Sequence, residues 1–138
     1  MRKFLFAAAL SAAAGLGSAP ALAHHSFAMF DTSKQVDIVG TVKDFQYTNP
    51  HSWLMIVAPA PDGKAVVEWG FESEGPSILL RNGIKKSSLN PGDKITVHAF
   101  PMRDGRPAGA LISVTKADGS TIQFRNGAPP KGVTLQAN

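Results

Sequence analysis

Four histidines occur in the 138 residues, and two of them, His24 and His25, directly follow Ala21-Leu22-Ala23. That small-residue triplet has the form of a signal-peptidase site. Cleavage after Ala23 is therefore expected, and it would make the α-amine of His24 the new chain end. A terminal histidine can chelate one metal ion through its amine and its ring together. The amine titrates near ~8, and imidazole is the commonest side-chain ligand for copper and zinc. Such a site needs a third nitrogen. His51, just after Asn49-Pro50 at the mouth of a strand, is the candidate. His98 ranks behind it, because Ile95, Val97 and Ala99 claim the core face of their strand and leave His98 on the outer one. The opposing reading is structural. Cleavage exposes whatever residue follows, so His24 and His25 can simply begin the segment Ser26-Phe27-Ala28-Met29-Phe30, whose aromatics pin the chain end to the domain, while His51 hydrogen-bonds a loop.

Trp53 and Met55 alternate on one face of the strand that follows His51. Histidine, methionine and a capping tryptophan together can hold copper(I), although alternating Trp and Met on a strand are also ordinary packing. The chain has no cysteine, which removes any disulfide or thiolate and leaves methionine as the only soft ligand. Tyr47, Trp53 and Trp69 suggest a different use, an aromatic barrel face for a protein or small organic ligand. Glu68, Glu72 and Glu74 stand near the expected helix start, where one can serve as a general base but carboxylates ordinarily favour the positive helix end. No nucleophile motif is present, since Ser26 beside His25 is adjacency without triad geometry. The Gly15/Gly17 pair falls within the expected signal, so no dinucleotide fingerprint remains.

The elements that must position these residues follow from the rest of the chain. Arg2 and Lys3, the apolar run from Phe4 to about Leu16 and the cleavage site give residues 1–23 as a signal peptide. The run is shorter than the ~20 residues of a membrane-spanning helix, and nothing later is longer. With no lipid-accepting cysteine and no twin arginine, the expected route is general secretion and the expected compartment the periplasm. The remaining 115 residues suit one domain, 24–125, with a flexible tail at 126–138. Losing Arg2 and Lys3 leaves 12 basic against 10 acidic residues, a net of +2 in place of +4. Basic residues are scattered apart from Lys85-Lys86, which argues against a nucleic-acid partner.

From Val36 the sequence reads as short strands. Val36, Ile38, Gly40 and Val42 share one phase and Phe45 and Tyr47 the other, which predicts a bulge near Asp44. Gly40 suggests strong curvature there. Trp53 to Ala58 and Val66 to Phe71 form the next strands. A helix is expected from Ser73–Pro76 to Arg81, closed by Asn82-Gly83. Ile95 to Phe100, the turn Arg103–Arg106, a return strand Leu111–Thr115 and a last strand Thr121–Phe124 complete the pattern. Three strands, a helix and a hairpin are the order of a mainly β, small five-stranded OB-like barrel with one short helix. A small β-sandwich is the rival, and it needs more strands.

Two resemblances bear on this. His24-His25-Ser26-Phe27-Ala28-Met29-Phe30-Asp31, Gly40-Thr41-Val42 leading through Phe45 to Asn49-Pro50-His51, Glu68-Trp69 and Pro91-Gly92-Asp93 resemble a family of small exported bacterial proteins without an assigned activity. Tyr47 stands where that family suggests tryptophan. More distantly, the fold order with His51, Trp53 and Met55 resembles periplasmic copper chaperones built on an OB barrel. The leading expectation is a non-enzymatic periplasmic domain binding a transition metal, copper before zinc, through His24 and its amine, His25 or His51. A metal-free module binding a protein or small organic ligand through Tyr47, Trp53 and Trp69 comes second, and a copper oxidase or oxygenase using the same terminal histidine comes third.

Overall fold

The computed structural model describes residues 27–125 and the backbone of residues 133–134. The expected signal segment, His24, His25 and most of the tail from Asn126 lie outside the described residues. β1 (Val36–Gln46) serves two partners within the barrel. Residues 36–41 pair antiparallel with β4 (Lys94–Pro101), and residues 41–46 pair antiparallel with β2 (Trp53–Pro59). One strand can face both neighbours only by bending sharply between them. Gly40 permits the close approach: a Cβ there would come within 2.8 Å of both the Ile56 side chain and the Val57 carbonyl. The expected bulge falls between Val42 and Asp44, and it lets Val42 and Phe45 both face the core.

β2 pairs antiparallel with β3 (Val66–Glu72), β3 pairs parallel with β5 (Ala108–Lys116), and β5 returns antiparallel to β4. The order β1-β2-β3-β5-β4 closes on itself through the β1–β4 ladder. This is the expected five-stranded OB-like barrel and not a two-sheet sandwich. α1 (Pro76–Arg81) lies between β3 and β4 in the chain, with proline in its first turn and Asn82 as C-cap. Gly83, at φ 76°, takes the left-handed turn that follows. α1 sends the fully buried Leu79 into a core that holds Phe45, Leu54, Phe71, Val97 and Phe124. Among the described residues no helix is long and apolar enough to cross a membrane.

One boundary differs from the sequence reading: β5 starts at Ala108, three residues before Leu111. The expected last short strand is β6 (Thr121–Gln123), which pairs with β5 outside the barrel. Farther on, β7 (Val133–Thr134) lies parallel to Val36 and Asp37.

The described chain starts as an arm laid along the outside of the barrel. A 3-10 turn, Phe27–Met29, precedes Phe30, which bridges to Met102 and packs on it and Ala110. The Asp31 amide donates to the Pro101 carbonyl at 2.8 Å, and the Arg103 amide and Nε donate to the Met29 and Ala28 carbonyls at 3.0 and 2.9 Å. Asp31 accepts from the amide and hydroxyl of Ser33 and pairs with Lys34 at 3.0 Å. The Ser33 and Lys34 donors hold its carboxyl well below the ordinary range, at about 2. Phe30 thus does what the structural reading of this segment expects, anchoring the chain end.

Candidate functional site

His51 and Ser52 enter β2 from the Asn49-Pro50 corner, and the alternation of the strand sends their side chains opposite ways. Ser52, Leu54 and Ile56 point into the barrel, whereas His51, Trp53 and Met55 lie on the outer face. The β2–β3 ladder sets Trp53 opposite Glu72 and Met55 opposite Gly70. Gly70 leaves room for its neighbours: the nearest side-chain atoms to a Cβ there would be Met55 Cε and Sδ at 3.5 and 3.6 Å and Trp53 Cε3 at 3.8 Å. His51, Trp53 and Met55 therefore share the outer face at one rim of the barrel.

The centre of this rim is a contact between an imidazole and a carboxylate. His51 Nδ1 donates to Glu72 Oε1, with the imidazole side chain 35% exposed and the carboxylate side chain only 8%. A carboxylate out of water needs a donor, and the imidazole N–H supplies one. This is the arrangement seen behind most metal-bound histidines, where a carboxylate fixes the tautomer and ring orientation and leaves Nε2 as the ligating atom.

The carboxylates near the helix are corrected here. They do not complement the start of α1, which has no acidic residue in its first turn. Glu68 pairs with Lys43, Glu72 with His51, and Glu74 with Arg125 at 3.4 Å. The importance of Glu72 was missed because only the register of the β2–β3 ladder brings it beside His51, and the turn-rich residues 59–65 do not set that register in advance.

The other candidates separate. His98 lies on the outer face of β4, as expected, with Nδ1 2.7 Å from Asp37 Oδ1 and Nε2 3.0 Å from Thr115 Oγ1. Both ring nitrogens are thus engaged away from His51. Tyr47, Trp53 and Trp69 do not form one face. Trp69 is 3% exposed, stacks on Phe71 at 5.8 Å and donates its indole N–H to the Pro59 carbonyl at 2.8 Å. Tyr47 lies against the helical connection, its hydroxyl facing the Pro76 and Ile84 carbonyls at 3.0 and 2.8 Å. Among the described residues no group of three or more His, Asp or Glu is gathered for a metal ion. The remaining histidines, His24 and His25, lie outside the described residues.

The arm approaches this rim. Phe30 packs on Ala110, whose ladder partner in β3 is Glu72. Phe27 lies under the guanidinium of Arg125, 4.4 Å from its centroid to Cζ, and Arg125 reaches Glu74, whose carbonyl accepts the Ser52 amide at 3.2 Å. Phe27 is two residues from His25.

Fold and site together define a small OB-like barrel with a carboxylate-backed histidine at one rim. The chain belongs to a family of unknown function (DUF6152), whose model matches residues 12–113. No curated protein and no solved structure matches it. The family membership agrees with the resemblance drawn from the sequence to proteins without an assigned activity.

Proposed function

We propose that this protein is an exported, periplasmic metal-binding domain that holds a transition metal, copper before zinc, through the amine and ring of His24, through His25 and through Nε2 of His51. The observation that carries the reading is the pair between the partly exposed His51 ring and the buried Glu72 carboxylate. An imidazole needs no buried carboxylate merely to finish a solvent-facing loop, whereas a ligating imidazole is oriented and made more basic by one. The approach of the arm to the same rim supports it further, because only Ser26 separates the described Phe27 from His25 in the sequence. Four nitrogens and no thiolate suit copper(II) or zinc, and nearby Met55 offers a softer donor to copper(I).

The test uses the protein beginning at His24, its start confirmed by intact mass. It is titrated with copper(II) beside a variant carrying one extra N-terminal alanine and beside His51→Ala. Tight one-to-one binding, weakened in both variants, is expected. Equal affinity in all three forms, or none tighter than micromolar in the unaltered protein, would overturn the reading and leave the Trp53–Met55 face as the place to look for a ligand. Redox turnover by the copper-loaded protein would move the reading from carrier to enzyme.

A further inference from the structure

Arg125 stands immediately beyond the barrel, after β6, on a backbone held by the barrel. Its amide donates to the Ile112 carbonyl at 3.1 Å, and the preceding Phe124 is 1% exposed and packs edge-to-face on Phe45. From this fixed base the guanidinium donates through Nε to the Leu111 carbonyl at 3.5 Å and reaches two further segments distant in sequence. One is the ion pair with Glu74, two residues past the carboxylate that holds His51. The other is the face of Phe27, 4.4 Å away, at the first described turn of the arm. Arginine suits both tasks at once, since its planar guanidinium offers donors along its edge and a weakly hydrated face for an aromatic ring. Phe27 in turn meets Phe30 edge-on at 5.6 Å, and the Phe30 amide donates to the Phe27 carbonyl at 3.0 Å.

We propose that Arg125 is a positioning residue: it clasps the turn at Phe27 to the rim that carries His51 and so fixes, at the start of the described chain, the point two positions after His25. This rests on the metal-binding reading above for its purpose, but not for its existence. The clasp is a property of the apo protein, and ligand placement is its consequence.

The experiment compares the unaltered protein with Arg125→Ala, Arg125→Lys and Phe27→Leu in two measurements. The first is amide hydrogen exchange of Phe30 in the metal-free protein. Exchange at least tenfold faster in Arg125→Ala and in Phe27→Leu is expected, with the distant amide of Val97 unchanged and Arg125→Lys, which keeps a cation, in between. Unchanged exchange at Phe30 would overturn the clasp. The second is copper(II) affinity with the electron paramagnetic resonance spectrum of the bound ion. A 10–100-fold loss in Arg125→Ala, the range found for residues that orient ligands, with an altered hyperfine splitting, is expected. Copper binding by Arg125→Ala with unaltered affinity and spectrum would overturn the positioning role. If the unaltered protein binds no copper, the metal reading fails and takes the positioning role with it, while the exchange data still decide whether the clasp exists.

Discussion

Replacing His51 by alanine should cost stability by a mechanism that a second substitution reverses. The His51→Ala variant leaves the Glu72 carboxylate, 8% exposed, without the imidazole donor. A buried acceptor stripped of its partner costs about 1–3 kcal/mol. The ring it loses is itself 35% exposed, so water enters part of the vacated space and the expected loss lies in the lower half of that range, about 1–2 kcal/mol. For a domain of this size that corresponds to a fall in Tm of roughly 4–8 °C per kcal/mol. Glu72→Leu alone should cost less, because it leaves only a partly exposed imidazole to find water. Removing both partners together and substituting apolar groups approaches neutrality. His51→Ala/Glu72→Leu should therefore be more stable than His51→Ala. Urea unfolding followed by tryptophan fluorescence reads the cycle, since Trp69 is buried in the core. Additivity of the two substitutions within about 0.3–0.5 kcal/mol would refute the coupling, and with it the claim that Glu72 orients His51.

Further outcomes follow from packing and titration. Gly109→Ala should destabilise by about 1–3 kcal/mol in thermal unfolding, because its Cβ would sit 2.5 Å from the Phe100 carbonyl and 3.3 Å from Ala99 Cβ. Ser52 and Ser73 both bury hydroxyls that have no partner, so the double replacement by alanine should leave the urea midpoint unchanged or raise it. Asp31 has a folded value depressed to about 2, so the stability it contributes is complete above the unfolded carboxylate value of about 3.9 and is lost as pH falls toward 2. Arm amides such as Asp31 should accordingly lose hydrogen-exchange protection on acidification through that window, and Asp31→Asn should remove the dependence.

The strands that were plain in the sequence are those buried on one side. Ile95, Val97 and Ala99 alternate with Thr96, His98 and Phe100 because β4 shows one face to the core. The phase change between Val42 and Phe45 marked the bulge for the same reason. β5 hid its beginning because Ala110 lies under Phe30 while its neighbours face the interior, and a strand covered on both faces loses its alternation. The same limit applies at the site. His51 stood out by residue type and by its place after Asn49-Pro50, but Glu72 looked like any carboxylate before a helix until the hairpin register set it beside His51. Trp69 and Tyr47 looked like surface aromatics because composition does not reveal whether an indole N–H or a phenol O–H will find a carbonyl, as both do here.

The parallel contact between β3 and β5 spans only Gly70–Glu72 against Ala108–Ala110, whereas β2 and β3 are matched along seven positions. A cylinder of strands parts first where it has fewest rungs. Phe30 lies on Ala110 and Ala108 at that seam, so the arm is a batten nailed over the weakest joint. A chain shortened past Phe30 would keep every barrel strand and still lose the piece that keeps the staves together.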